Sequence, residues 1–379
     1  MLAPPNPIDP FPWYREMRDT RPVAVDGGMA NVFRYMDVRA AITSPDTFSS
    51  RMEGLGDHPL ASSLAFTDSP IHDRLRDQVR EPFNARVLSS LGPRIARITG
   101  DLLDEAERAG TLDVAADLGK LPTRVIMELL GIPEADQGRY ASWADEFMAG
   151  GYREAGNPEG MIDYFRALLA ERRASPAEDL LSALMAGEAE QRISQAEVLG
   201  FCVLLLIAGN ETTAHLITNS VWTLTEEPEA MRRLREDPTI AGRVIEEVLR
   251  YRSPSTMLFR TARVDTRLGD VDVQAGQLVR LWLGSANRDE RQFPDPDVFD
   301  MDRRSNAHVA FGTGVHACLG ASLARLEARI VLRALLARFG SLERLEAPEE
   351  PVGEVVFSLR HLPVAVVPRA RHAVGHGGD

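Results

Sequence analysis

The sequence predicts a mainly α protein with a minor β portion, and three observations carry that expectation. From about Ala85 to Phe339, apolar residues recur every three or four positions, the spacing that gives a helix one buried face. Strand-like runs are short and gather toward the two ends of the chain. Composition allows a large core, since 44% of the 379 residues are hydrophobic. Length alone suggests two or three domains at roughly 150 residues each. The chemistry-bearing motifs described below need one shared pocket, so the expected organisation is a single domain over residues 1–379.

The first residues are rich in proline and carry neither a basic leader nor an apolar stretch, so neither a signal peptide nor a membrane anchor is expected. Pro22 to Asp26 and Asn31 to Tyr35 read as strands. Helical periodicity follows in Ile95 to Ala106, Arg124 to Leu130 and Glu226 to Leu234, while Gly150-Gly151 to Gly160 is turn-rich. Ser194 and Glu197 have capping-box spacing, with Ile193 and Val198 placed as a hydrophobic staple, so a helix is predicted from Ser194 onward. Its apolar run, Val198 to Gly209, falls short of the roughly 20 residues that cross a bilayer and is expected in the core. Leu278 to Leu283 reads as a late strand, and Val355 to Phe357 with Val364 to Val367 as a terminal hairpin. The tail after Pro368 is expected to fray.

Charge and cysteine usage narrow the function classes. The formal net charge of −13 opposes attraction to phosphate backbones, so nucleic acid is not an expected partner. With Cys202 and Cys318 as the two cysteines, a disulfide framework, a four-cysteine iron–sulfur cluster and a cysteine-rich zinc site are excluded. A reducing cytoplasm fits this usage.

In Phe311-Gly312-Thr313-Gly314-Val315-His316-Ala317-Cys318-Leu319-Gly320, one cysteine stands among glycines just ahead of the helix-forming run Ala321 to Phe339. A thiolate held as a metal ligand needs a lowered pKa, close backbone approach and shelter from water. Gly312, Gly314 and Gly320 permit the approach. A helix beginning near Leu319 would aim its free N–H groups and positive dipole end at the sulfur. The segment resembles the haem-binding signature of the cytochrome P450 family, Phe-Gly-x-Gly-x-His-x-Cys-x-Gly, at every specified position. The resemblance extends over essentially the whole chain, from Asp9-Pro10-Phe11-Pro12-Trp13-Tyr14-Arg15 onward. It implies a cytochrome P450-like fold and haem b (iron protoporphyrin IX), with Cys318 as iron ligand and Phe311 and Gly312 beside the cofactor.

Leu204, Ile207, Ala208, Glu211 and Thr212 follow i, i+3, i+4, i+7, i+8 spacing and are expected on one helix face that turns from apolar to polar. Small residues at Ala208 and Gly209 leave a groove above a flat cofactor. Thr212 offers a hydroxyl that can hydrogen-bond dioxygen, and Glu211 an acid that can relay protons. The family carries an acid–alcohol pair at the matching place, which makes Thr212 and Glu211 the implied catalytic residues.

Glu247 and Arg250 have ion-pair spacing on a helix, and with Arg303 they resemble the family's buried structural triad. Two haem propionates need cationic or hydrogen-bonding partners when buried, and His72, Arg76, Arg260 and His316 match family positions that supply them. The substrate pocket is expected along Leu204 and Ile207, Ser255 to Phe259 including Met257 and Leu258, Leu60 to Phe66, and Phe357 to Leu359.

The resemblance implies a monooxygenase that inserts one oxygen atom of O2 into a secondary-metabolite or lipid-like small molecule, with electrons from a ferredoxin-type donor and its reductase. Arg74, Arg76, Arg80, Arg303, Arg304, Arg325 and Arg329 are expected to form a locally positive docking face for that donor. Two alternatives stand beside this reading. A peroxide-driven haem-thiolate peroxygenase is disfavoured by the intact acid–alcohol pair, and a non-catalytic haem sensor has no use for a proton relay.

Overall fold

The computed structural model describes residues 2–369 apart from 53, 81, 82, 84, 155–159, 178, 350 and 354. In chain order the helices are α1 (Phe11–Thr20), α2 (Tyr35–Ile42), α3 (Ile71–Arg80), α4 (Ala85–Ala109), α5 (Lys120–Leu130), α6 (Gln137–Glu154) and α7 (Met161–Ala174). They continue as α8 (Leu180–Ala189), α9 (Gln195–Ala208), α10 (Glu211–Glu226), α11 (Pro228–Glu236), α12 (Ala241–Tyr251), α13 (Leu283–Ala286) and α14 (Ala321–Arg338). The strands are β1 (Val23–Asp26), β2 (Met29–Val32), β3 (Phe48–Ser49), β4 (Thr111–Asp113), β5 (Leu258–Ala262), β6 (Thr266–Leu268), β7 (Val271–Val273), β8 (Leu278–Leu281), β9 (Phe339–Arg344) and β10 (Pro363–Pro368). The fold is mainly α, as the periodicity predicts.

A five-stranded sheet runs β1-β2-β8-β5-β3, a three-stranded one β4-β10-β9, and β6 pairs with β7. The predicted second strand is shifted: it starts at Met29 and ends at Val32, because Tyr35 opens α2 and its backbone N–H donates to Asp289 Oδ2 at 2.9 Å. The terminal hairpin is corrected. β10 pairs with β9 and β4, while Val356 makes an isolated bridge to Ser255. The expected helix over Glu226 to Leu234 is split, since Pro228 lacks the N–H that would continue α10 and instead opens α11. Gly150 and Gly151 lie in the last part of α6 rather than in a turn; 155–159 and the tail from 370 fall outside the described residues.

α9 starts as predicted. The Glu197 N–H donates to Ser194 Oγ at 3.3 Å, the Ser194 N–H donates to Glu197 Oε2 at 2.7 Å, and Ile193 and Val198 are buried. The expected continuous helix then breaks at Gly209 and Asn210. Asn210 Nδ2 donates to Leu206 O at 2.5 Å, a side chain occupying a helical carbonyl in the manner that opens a turn. A Cβ on Gly209 would lie 2.8 Å from Leu205 O and 3.0 Å from Ile126 Cδ1, so glycine lets α5 pack against the break.

α10 packs against α14 and α12, and α14 against α4, so the core runs along the helix that follows the cysteine loop. Gln195–Glu226 taken together is long and apolar enough to span a bilayer, but 67% of its most apolar window is buried inside the protein. That burial makes it the core of this fold.

Candidate active site

The cysteine loop is held by its own backbone. Gly312 and Gly314 have φ of +65° and +72°, left-handed conformations that glycine adopts without strain. This lets the chain fold back so that the Cys318 N–H donates to Phe311 O at 2.9 Å and the Gly312 N–H to Val309 O at 2.9 Å. α14 begins at Ala321, two residues later than Leu319, with Gly320 as its N-cap. Backbone N–H groups of Gly320 and Ala321 point at the sulfur. The lowered thiol pKa expected from sequence is not what the protein alone produces. Burial pushes the Cys318 thiol up and outweighs those two N–H groups and the charges of Arg76 and Arg325. The residue keeps an exposed surface even though dense surroundings raise its thiol.

Around that sulfur converge side chains from three separate segments. His72 on α3 and His316 in the loop have ring centroids 4.1 Å apart, and each has a buried Nε2 with no hydrogen-bond partner. Burial, then the charges of His72 and Arg260, drive His316 down to about 3. Arg260 is buried, held down to about 10 by desolvation, and donates to Phe259 O at 2.8 Å. Among the described residues neither Arg260 nor Arg76 has a carboxylate within ion-pair distance. A cleft of about 280 Å³ opens beside His72, Arg76 and Gly314.

The central helix presents an open stripe. Along Val198–Ala208 every residue is buried except Leu204, half-buried, and Ala208, exposed. Glu211 and Thr212 continue the stripe half-buried, and Thr212 Oγ1 donates across the break to Ala208 O at 3.2 Å. Ile207 is 7% exposed and sits at the edge of this stripe. Leu258 approaches the loop glycine, its Cδ1 lying 3.8 Å from where a Cβ on Gly312 would stand. Met257 packs with Tyr14, Phe33 and Trp282, and Phe357 lies edge-on to Phe11 and against Trp222.

The cytochrome P450 family pattern matches residues 158–366, and "Cytochrome P450 109" of Bacillus spizizenii is 38% identical across 94% of this chain and 92% of its own. The chain belongs to the cytochrome P450 family. A Saccharopolyspora erythraea P450, erythromycin C-12 hydroxylase, is 38% identical over 93% of each chain. A Bacillus megaterium P450 solved with testosterone superposes with a TM-score of 0.89 at 35% identity, covering 96% of this chain and 99% of that one. This protein is therefore a P450 monooxygenase whose cofactor is haem b. The donor set fits that group: two orphaned imidazole nitrogens, and two guanidinium groups with no ion-pair carboxylate among the described residues, suit the two propionates of such a cofactor.

The P450 triad takes the expected form. Glu247 receives Arg250 at 2.6 and 2.9 Å and Arg303 at 3.2 Å, and Asn306 Nδ2 adds a hydrogen bond at 3.1 Å that sequence reasoning missed. A second network also went unforeseen. Glu246 accepts from Arg325 at 2.6 and 2.9 Å and faces His308 Nε2 at 3.1 Å. Burial alone would raise the Glu246 carboxyl, but His308 and Arg325 hold it at about 2. Arg325 also lies 4.5 Å over the Phe311 ring. The predicted arginine face is thereby reduced: Arg325 and Arg303 are paired internally and Arg74 with Glu197, whereas Arg80, Arg304 and Arg329 are exposed.

Proposed function

We propose that Cys318 ligates the haem iron, that His72, Arg76, Arg260 and His316 hold the propionates, and that Thr212 and Glu211 handle protons during oxygen insertion into a bulky, mostly apolar small molecule. The observation that carries this reading is an exposed cysteine in a glycine loop, close to two unpartnered imidazole nitrogens and two arginines that have no ion-pair carboxylate among the described residues, drawn from three parts of the chain. Bound haem supplies the redox-active iron at which O2 is activated.

The protein's own contributions follow from geometry. The Gly320 and Ala321 N–H groups would stabilise negative charge on sulfur, and a bound cation would favour the thiolate despite burial. The Phe311 carbonyl accepts from the Cys318 N–H and fixes the loop around the cysteine, and exposed Ala208 would leave room for a flat cofactor. Thr212 Oγ1 already orients toward the break, so its hydroxyl proton can turn from Ala208 O to an oxygen acceptor while Glu211 resupplies it.

Leu204, Ile207 and Leu258 would face substrate; Met257 and Phe357 are held in aromatic packing behind that wall. A second cleft of about 400 Å³, lined by Met52, Leu55, Phe66 and Ile71 together with Arg51 and Glu197, offers an approach of mixed polarity. Erythromycin and testosterone, named with two relatives, are likewise large and mostly apolar. A cytoplasmic ferredoxin-type donor would supply electrons, because two cysteines cannot hold an iron–sulfur cluster in this chain. Exposed Arg80, Arg304 and Arg329 are the docking charges that remain.

The test is turnover of a steroid and polyketide panel under ¹⁸O2 with a surrogate ferredoxin and reductase. One labelled oxygen per product is expected. Product formed with peroxide but never with the reductase system would overturn the reading in favour of a peroxygenase.

A further inference from the structure

Glu211 has a neighbour that no motif singles out. His215 stands one turn further along α10, with Nε2 3.5 Å from Glu211 Oε1 and side chains only 8% and 14% exposed. That nitrogen is buried and makes no hydrogen bond, while Glu211 is the carboxylate within its ion-pair reach. The adjoining hydroxyls are placed differently. Thr212 donates to Ala208 O, and Thr213 is buried.

A buried imidazole nitrogen without a partner costs free energy, so closing the small remaining gap to the carboxylate is favourable. The order is also the better one for a helix, with the acid four residues before the base. Glu211 begins α10 directly after the break, where a flexible carboxylate has several rotamers open to it. A relay acid works only within reach of the group it serves. Something must therefore choose the rotamer.

We propose that His215 is a positioning residue for Glu211: its Nε2–H donates to the carboxylate and holds it inside the broken turn, beside Thr212. This rests on the proton-handling reading of Glu211 and Thr212. The imidazole touches neither haem nor substrate in this role; it acts through the acid.

The test uses the holoenzyme with His215→Leu and His215→Gln. Leucine removes the donor, whereas glutamine places an uncharged N–H at the same reach. Product formed per NAD(P)H should fall about three- to tenfold in His215→Leu, with haem content and substrate affinity unchanged, and return to within about twofold of the parent in His215→Gln. Should the leucine variant lose haem, His215→Asn, whose shorter amide cannot reach the carboxylate, takes its place. An independent readout is the side-chain ¹⁵N resonance of His215 in the diamagnetic reduced carbon monoxide form, which should move in Glu211→Gln. A resonance indifferent to Glu211→Gln, or a glutamine variant no better than leucine, overturns the proposal. Unchanged coupling in Glu211→Gln sinks the relay itself, whereas unchanged coupling in His215→Leu alongside a loss in Glu211→Gln overturns the role of His215 alone.

Discussion

His72 and His316, brought from a helix near the start of the chain and a loop near its end, stand with ring centroids 4.1 Å apart and both Nε2 atoms unpartnered. With Arg76 and Arg260 they form a donor-rich cluster whose carboxylate contact among the described residues is Asp73, 3.1 Å from His72 Nδ1 on the side away from the unpartnered Nε2. Such a cluster is costly without an anion and favourable around one. Arg260→Ala and His72→Ala are therefore expected to speed haem loss severalfold while leaving the backbone fold intact. Haem transfer to an acceptor globin measures the rate; unchanged transfer in both variants removes these residues from the propionate site.

Reduced protein with carbon monoxide should show the strongly red-shifted Soret band of thiolate-ligated haem, and Cys318→Ala should abolish it. Cys202 is the control, being fully buried with its thiol pushed up to about 12 by desolvation. A band lost in Cys202→Ala but kept in Cys318→Ala would reverse the ligand assignment.

Thr212→Ala should preserve haem content and substrate binding while diverting electrons to peroxide. Thr213 lies about 100° further round the helix and is 5% exposed, so Thr213→Ala should change coupling little. The measurement is product and peroxide per NAD(P)H with a surrogate redox system, and equal coupling in the two variants would dismiss Thr212 from the relay.

Glu247 satisfies Arg250, Arg303, Asn306 and the Asp300 N–H at once. Glu247→Ala leaves Arg250 buried and without its carboxylate partner, which should cost about 3–5 kcal/mol and release haem. Urea midpoints of the folded fraction check this, and a loss under about 1 kcal/mol would contradict the buried-triad account.

Glu327 on α14 is 1% exposed, has an Oε2 without a partner, and is pushed up by burial from 4.5 to about 8. A carboxyl raised in the folded state contributes stability that is full below its unfolded value and is lost as pH climbs through the folded one. Stability should therefore decline between about pH 4.5 and pH 8 in the parent. Glu327→Gln should flatten that decline, and the urea midpoint difference between the two should grow toward pH 8. A difference constant over this range would show that Glu327 is not neutral in the fold.

The parts of the site legible in sequence are those made by residues close together in the chain. Gly312 and Gly314 announce the left-handed turns that bring Cys318 back to Phe311, and Ser194 with Glu197 fixes the start of α9. The break after Ala208 was only half visible. A glycine followed by Thr212 and Thr213 weakens a helix in sequence terms, but Asn210 reaching Leu206 O, and Ile126 filling the space beside Gly209, are facts of packing. Arg325 shows the same limit: its charge alone reads as a docking charge, whereas the fold pairs it with Glu246 at 2.6 Å.

By itself, then, the sequence determined the helical class, the capped central helix, the cysteine loop and its membership in a haem-binding family, because helix periodicity, capping and glycine turns act over about four residues. Only the tertiary structure decided that β10 joins β9 and β4, that His72 meets His316, and that Met257 and Phe357 are locked among aromatic rings. Those contacts join positions far apart in the chain, and periodicity names which face of an element is buried without naming what buries it.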